Sequence, residues 1–165
     1  MPLPYADPNK KRSRWYTASN NFGRSRPGQF LAPLLAAHRP VAVWVTGGRY
    51  PSILGGISTA PLMTTGAKSG QPREVQLTYF HDGSDPISIA SNYRGPEHPQ
   101  WYHNLKAHPE CELGGERFVA IQVTDPDEYA RLYRLAEQVY AGYGDYRVKT
   151  AAAGRQIPVF RLKPR

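Results

Sequence analysis

The stretch Thr64-Thr65-Gly66-Ala67-Lys68-Ser69-Gly70-Gln71-Pro72-Arg73 decides how this chain is read. An apolar run, Pro61-Leu62-Met63, enters it, and Glu74 to Phe80 leaves it as a strand. Two glycines and a proline between those runs read as a turn between strands. The remaining residues suit an anion: serine and threonine hydroxyls donate hydrogen bonds, and glycine lets backbone N–H groups come close. Lys68 adds a mobile point charge, and Arg73 a planar fork matched to phosphate or carboxylate. By chemistry alone the same residues also fit a surface hairpin with solvated charges.

Working outward, strands are predicted at about 60–65, 73–81 and 86–91, with Asp82-Gly83 marking a hairpin between the last two. Pro99 opens a short helix that runs to Ala107 and is closed by Pro109. Residues 111–113 and 117–124 form a hairpin across Gly114-Gly115. Asp125 caps a helix, with Pro126 at its first position and Glu128 as the reciprocal acceptor. Tyr129, Leu132, Tyr133, Ala136, Val139 and Tyr140 give that helix an apolar stripe. Gly142 interrupts it, a second helical piece covers Tyr143 to Ala152, and Gln156 to Leu162 is a final strand. Strands in runs with helices inserted indicate an α+β barrel over a parallel α/β sheet.

The chain has 165 residues, 40 % of them hydrophobic, enough for one domain with a core. No apolar run reaches the 18 or more residues a spanning helix needs, and the N-terminus lacks a secretory pattern. A single cysteine, Cys111, leaves no internal disulfide and no cysteine metal cluster, so a reducing cytoplasm is the expected location. The net charge of +8 is uneven: eight cations lie in residues 1–50 against Asp7 alone. Residues 1–59 therefore read as a basic N-terminal extension, helical at about 13–22 and 29–37, ahead of a barrel domain at 60–165. Val41 to Val45 fits either a strand or a buried helix. Charge so placed suits a peripheral membrane contact or an anionic ligand better than nucleic acid, whose binders spread cations over a platform.

The motifs for hydrolysis or nucleotide binding (GxSxG, HExxH, GxxxxGK[ST]) are absent, and the five histidines lack metal-ligand spacing, so no metal is expected. Tyr140, Tyr143 and Tyr146 recur every three residues, on one side of a helix. They read either as core or as the lining of a pocket.

Four runs in order, TTGAKSGQPREVQLTYF, HDGSDPISIASN, EHPQWYHNLKAHP and YAGYGDYRVKT with RQIPVFRL, resemble the deazaflavin-dependent nitroreductase family. The resemblance covers roughly Pro61 to Leu162. It implies a split β-barrel, mostly antiparallel and Greek-key-like, with flanking helices. It also implies reduced coenzyme F-420 as hydride donor, a cofactor that carries the hard chemistry itself. Carried over residue by residue, Ala67, Lys68, Ser69, Gly70 and Arg73 would hold its anionic tail, with backbone amides completing the cradle. Leu77 and Thr78 would lie by the ring, Ala90, Ser91, Asn92 and Arg94 would follow on the next strand and loop, and Trp101 and Asn104 would sit beside the tail. Tyr140, Tyr143 and Tyr146 would line the substrate pocket, with Tyr143, Tyr146 and Thr78 as catalytic candidates. Thr78 stands where some members carry a tyrosine implicated in nitro reduction, so a quinone, an activated alkene or a related apolar acceptor is the expected substrate. Such barrels are often homodimers. The alternatives are an FMN- or haem-binding split barrel, or a non-catalytic deazaflavin-binding or membrane-surface protein.

Overall fold

A computed structural model describes residues 3–10, 57–92, 97–152 and 154–165. The readings of helices at 13–22 and 29–37, of Val41–Val45 and of Arg94 lie outside the described residues. Six strands close an antiparallel barrel: β1 (Thr59–Thr65), β2 (Pro72–Asp82), β3 (Asp85–Ile89), β4 (Glu110–Leu113), β5 (Glu116–Gln122) and β6 (Val159–Pro164). Among the described residues three helices accompany them, α1 (Gln100–Ala107), α2 (Pro126–Val139) and α3 (Gly142–Ala152). The strand order β1-β2-β3-β6-β5-β4 consists of two meanders joined edge to edge, β3 to β6 and β4 to β1.

Strand periodicity of two fills the inside. Leu62, Leu77, Tyr79, Ala90, Phe118, Ala120, Phe160 and Leu162 meet there, and α1 adds Trp101 and Leu105 to the same core. On the outer face Phe80, Ile87 and Val159 are buried, as are Leu132, Tyr133, Ala136 and Val139 of α2. Asp125 caps α2, its carboxylate accepting from Glu128 N–H at 2.7 Å. Glu128 is not the reciprocal acceptor: its own carboxylate takes Arg161 Nε at 3.0 Å. The last strand begins at Val159, three residues later than expected, because Pro158 has no N–H for a ladder.

Residues 3–8 lie along the barrel as a strap. Tyr79 O–H donates to Pro4 O at 2.8 Å, and Leu3 N–H to Glu116 Oε1 at 2.7 Å. His81 is the clasp: its N–H donates to Ala6 O at 2.8 Å, its Nδ1 accepts from Ala6 N–H at 3.0 Å, and Tyr5 stacks on its ring at 4.7 Å. An accepting Nδ1 must be unprotonated, and burial holds the His81 pKa below the usual imidazole value, over the opposing pull of Glu116 and Asp85. A depressed histidine pKa stabilises the strapped state above the unfolded value and loses that contribution as pH falls. Between about pH 7 and 5 the strap should loosen, with faster amide exchange at Tyr5 and Ala6, and His81→Phe should remove that pH dependence.

The outer end of the β2–β3 hairpin is tied down by charge. Arg161 donates to Asp82 (2.7 Å), Asp85 (2.9 Å) and Glu128, Arg131 grips Asp82 with two bonds at 2.7 and 2.8 Å, and Lys163 reaches Asp85 at 2.7 Å. The Arg131 bond, then Arg161, holds the Asp82 carboxyl well below the usual range despite burial. Burial pushes Asp85 upward, and Lys163 and Arg161 outweigh it, so its pKa is also lowered.

Candidate functional site

The β1–β2 loop is fixed from within. Gly66 N–H donates to Gln71 O and Gly70 N–H to Gly66 O, each at 2.8 Å. A side chain on Gly66 would place its Cβ 2.6 Å from Ser69 Oγ and 3.2 Å from Gln71 O, so it would force Ser69 to another rotamer and press on the turn's closing carbonyl. The loop is also fixed from behind. Asn104 of α1, itself buried, accepts Ala67 N–H at 3.0 Å and donates to Thr64 Oγ1 at 3.0 Å. Thr64 Oγ1 in turn donates to Arg73 O at 3.3 Å. Each buried polar group thus has a partner, which is what rigidity in a turn requires.

The amides of Gly66, Ala67 and Gly70 are spent inside the loop or on Asn104, so they are not offered to a ligand. What faces outward is Lys68, Ser69 and Arg73, all exposed, and among the described residues neither cation is paired with a carboxylate. Asn104 is a brace within the protein. Leu77, Ala90 and Trp101 are buried in the barrel core, so they support the surface from behind. Strand alternation puts Thr78 on the opposite, outer face from Leu77, and it is half-buried.

The end of β3 forms a second fixed point. Ser91 is half-exposed, and Asn92 adopts φ 51 while its Nδ2 donates to Glu97 O at 3.0 Å. Arg155, which the sequence reading did not single out, donates through Nη2 to Ala90 O (3.0 Å) and Ser91 O (3.4 Å), and through Nε to His98 Nδ1 (3.2 Å). Its only trace in the sequence is a cation placed just ahead of an apolar, proline-containing re-entry, Arg155-Gln156-Ile157-Pro158.

The tyrosines form a third group where α2 meets α3. Tyr143 packs edge-on to Tyr140, Tyr133 and Tyr146 at 5.4, 6.5 and 6.0 Å between ring centres. Gly142 makes room for this cluster: a Cβ there would lie 2.4 Å from the Tyr140 ring. Tyr143 and Tyr146 are buried, and Tyr133 O–H donates to Tyr143 O at 3.1 Å. Tyr140 is half-buried, and its hydroxyl lies 3.3 Å from that of Tyr146. Thr150 Oγ1 donates to Tyr146 O at 2.9 Å, and Thr150 O accepts Arg155 N–H at 2.9 Å, so α3 is chained to the end of β3. Burial pushes the Cys111 thiol up to about 12, which makes it a packed, unreactive group.

An antiparallel six-stranded barrel with flanking helices is a split β-barrel, a fold that by itself assigns no chemistry. Residues 40–164 match the family described as F420H(2)-dependent quinone reductase, and the chain belongs to it. An F420H(2)-dependent quinone reductase of Mycobacterium tuberculosis is 42 % identical over 125 residues, covering 72 % of this chain and 76 % of that protein. Among solved structures, an F420-H2 dependent reductase is similar with a TM-score of 0.55 and 33 % identity, over 64 % of this chain and 93 % of that one. A domain-swapped dimer is similar with a TM-score of 0.56 and 33 % identity, over 64 % of this chain and 79 % of that one. The chain is thus an oxidoreductase whose family draws on reduced F-420 as hydride donor. Among the described residues no helix is long and apolar enough to cross a membrane.

Proposed function

We propose that this protein passes a hydride from reduced F-420 to a quinone or a similarly electron-poor, flat acceptor. The observation that carries the reading is the β1–β2 turn: a backbone locked by Asn104 that presents Lys68, Ser69 and Arg73 outward without carboxylate partners among the described residues. That donor set fits the phosphodiester and oligoglutamate of the coenzyme, both of them anionic. Ser69 Oγ accepts from Gln71 N–H at 3.3 Å, which leaves its own proton to donate. Thr78, on the outer face of β2, and Ser91, at the end of β3, would border the ring, and Asn92 would continue the contact. When bound, the coenzyme supplies the hydride.

Reduction of a quinone to a hydroquinone by a hydride also takes one proton. The paired hydroxyls of Tyr140 and Tyr146 suit that role: Tyr140, partly exposed, would give the proton and regain it from solvent, and Tyr146, 3.3 Å away, would hold the Tyr140 hydroxyl by a hydrogen bond. Tyr143 would shape the pocket by packing against both. General acid catalysis contributes typically about a hundredfold or more. Tyr140→Phe and Tyr146→Phe should therefore lower kcat with menadione about 100-fold while KM stays within about twofold. A wild-type kcat in both variants would remove the pair from the reaction. The similarity to a domain-swapped dimer supports a homodimer for this chain as well.

The function is tested by following oxidation of reduced F-420 by its absorbance on adding menadione or a cyclic enone. Quinone-dependent oxidation is expected. Tight F-420 binding without turnover on either acceptor would leave a carrier in place of an enzyme.

A further inference from the structure

One side chain joins three parts of the chain that hold the β3 exit. Arg155 Nη2 bonds two successive carbonyls, Ala90 and Ser91, its Nε bonds His98 Nδ1 just ahead of α1, and its backbone N–H bonds Thr150 O of α3. Ser91 and Asn92 are thereby set between a guanidinium on one side and the Asn92–Glu97 bond on the other. Asn92 keeps a left-handed backbone, a state that asparagine tolerates and that surrounding bonds must maintain. A solvent-open depression of about 460 Å³ lined by Glu97, His98, His103, Gly154, Arg155 and Gln156 lies alongside, so Arg155 is reached from solvent while its hydrogen bonds tie the segments together.

We propose that Arg155 is a positioning residue for the coenzyme: it sets the Ser91–Asn92 backbone in the geometry that receives F-420, without touching the coenzyme itself. The inference rests on the F-420 reading above. The planar fork reaches three acceptors at once, which an ammonium on a flexible stem cannot reproduce. Arg155→Lys should then keep the fold and the positive charge but lose the geometry. At least a tenfold loss of F-420 affinity is expected, about the scale of one charge-assisted hydrogen bond.

The experiment is a tryptophan-fluorescence titration of the full chain with F-420, run with the wild type, Arg155→Lys and Arg155→Ala, beside thermal melting and steady-state kinetics with menadione. Arg155→Lys should raise the F-420 Kd at least tenfold, shift Tm by only a few degrees and leave kcat at saturating F-420 within about threefold. In Arg155→Ala, added ethylguanidinium should recover much of the lost affinity. An Arg155→Lys variant that binds as tightly as the wild type overturns the inference. So does a joint collapse of affinity and Tm that ethylguanidinium does not repair, since Arg155 would then be a folding residue. Failure of the wild type itself to bind F-420 would overturn both this inference and the reading beneath it, and needs no variant to detect.

Discussion

Replacing Lys68 and Arg73 together by alanine should weaken F-420 binding about 100-fold and leave Tm unchanged. A hydrogen bond to a charged group contributes about 1.5–3 kcal/mol, and loss of two such contacts, discounted for their solvent exposure, gives roughly 2.7 kcal/mol, or two decades in Kd. Both residues are exposed and, among the described residues, without carboxylate partners, so the fold does not depend on them. The two single variants should each lose about tenfold. Wild-type affinity should also fall with added salt, because charges near the surface are screened over about 10 Å at 0.1 M ionic strength. Asn104→Leu should mimic part of the loss with no charge removed: Ala67 N–H and Thr64 Oγ1 would lose their partner and the turn its shape. If the double alanine variant binds F-420 as well as the wild type, the cationic turn is a solvated hairpin and the coenzyme lies elsewhere.

The second large effect concerns stability. Arg161→Met should cost about 3 kcal/mol, the low end for removing one partner from a largely buried charge cluster. For a chain of this size that lowers Tm by roughly 10 °C. Arg161 is only 14 % exposed, and without it Asp82, Asp85 and Glu128 face one another with fewer counterions. The pH dependence has a definite sign. The depressed carboxyls of Asp82 and Asp85 stabilise the fold above their unfolded pKa and lose that contribution as pH falls through the folded one. The gap between wild type and Arg161→Met should therefore be widest near neutrality and narrow below about pH 4. Urea titrations at pH 7 and about pH 2 would measure it. A gap that stays constant between them would show the cluster to be electrostatically idle.

The barrel was legible because its signals are local. Alternating apolar residues from Leu62 to Leu77 and Tyr79 fix which faces point inward, and Asp82-Gly83 places the hairpin. The Asp125-Pro126 start is observed, whereas the break falls at Tyr140 and Ala141, with Gly142 already the first residue of α3. The arrangement of the site was less legible, because it depends on which polar groups are already used. Nothing in Thr64, Ala67 and Asn104 as a sequence says that they bond one another across 37 and 40 positions. The same holds for Arg155, whose partners Ala90 and Ser91 lie 65 and 64 residues away. Leu77 and Ala90 entered the site through the family resemblance; their side chains lie in the barrel core, which the resemblance alone did not show. Glu128 fitted the capping pattern, yet Arg161 offers its carboxylate a stronger partner than a backbone amide.

Coenzyme choice tests the account most directly. Titrating the purified full chain with F-420 and, separately, with FMN, read by quenching of tryptophan fluorescence, should give micromolar or tighter binding of F-420 and at least 100-fold weaker binding of FMN. FMN bound as tightly as F-420, or more tightly, would contradict it.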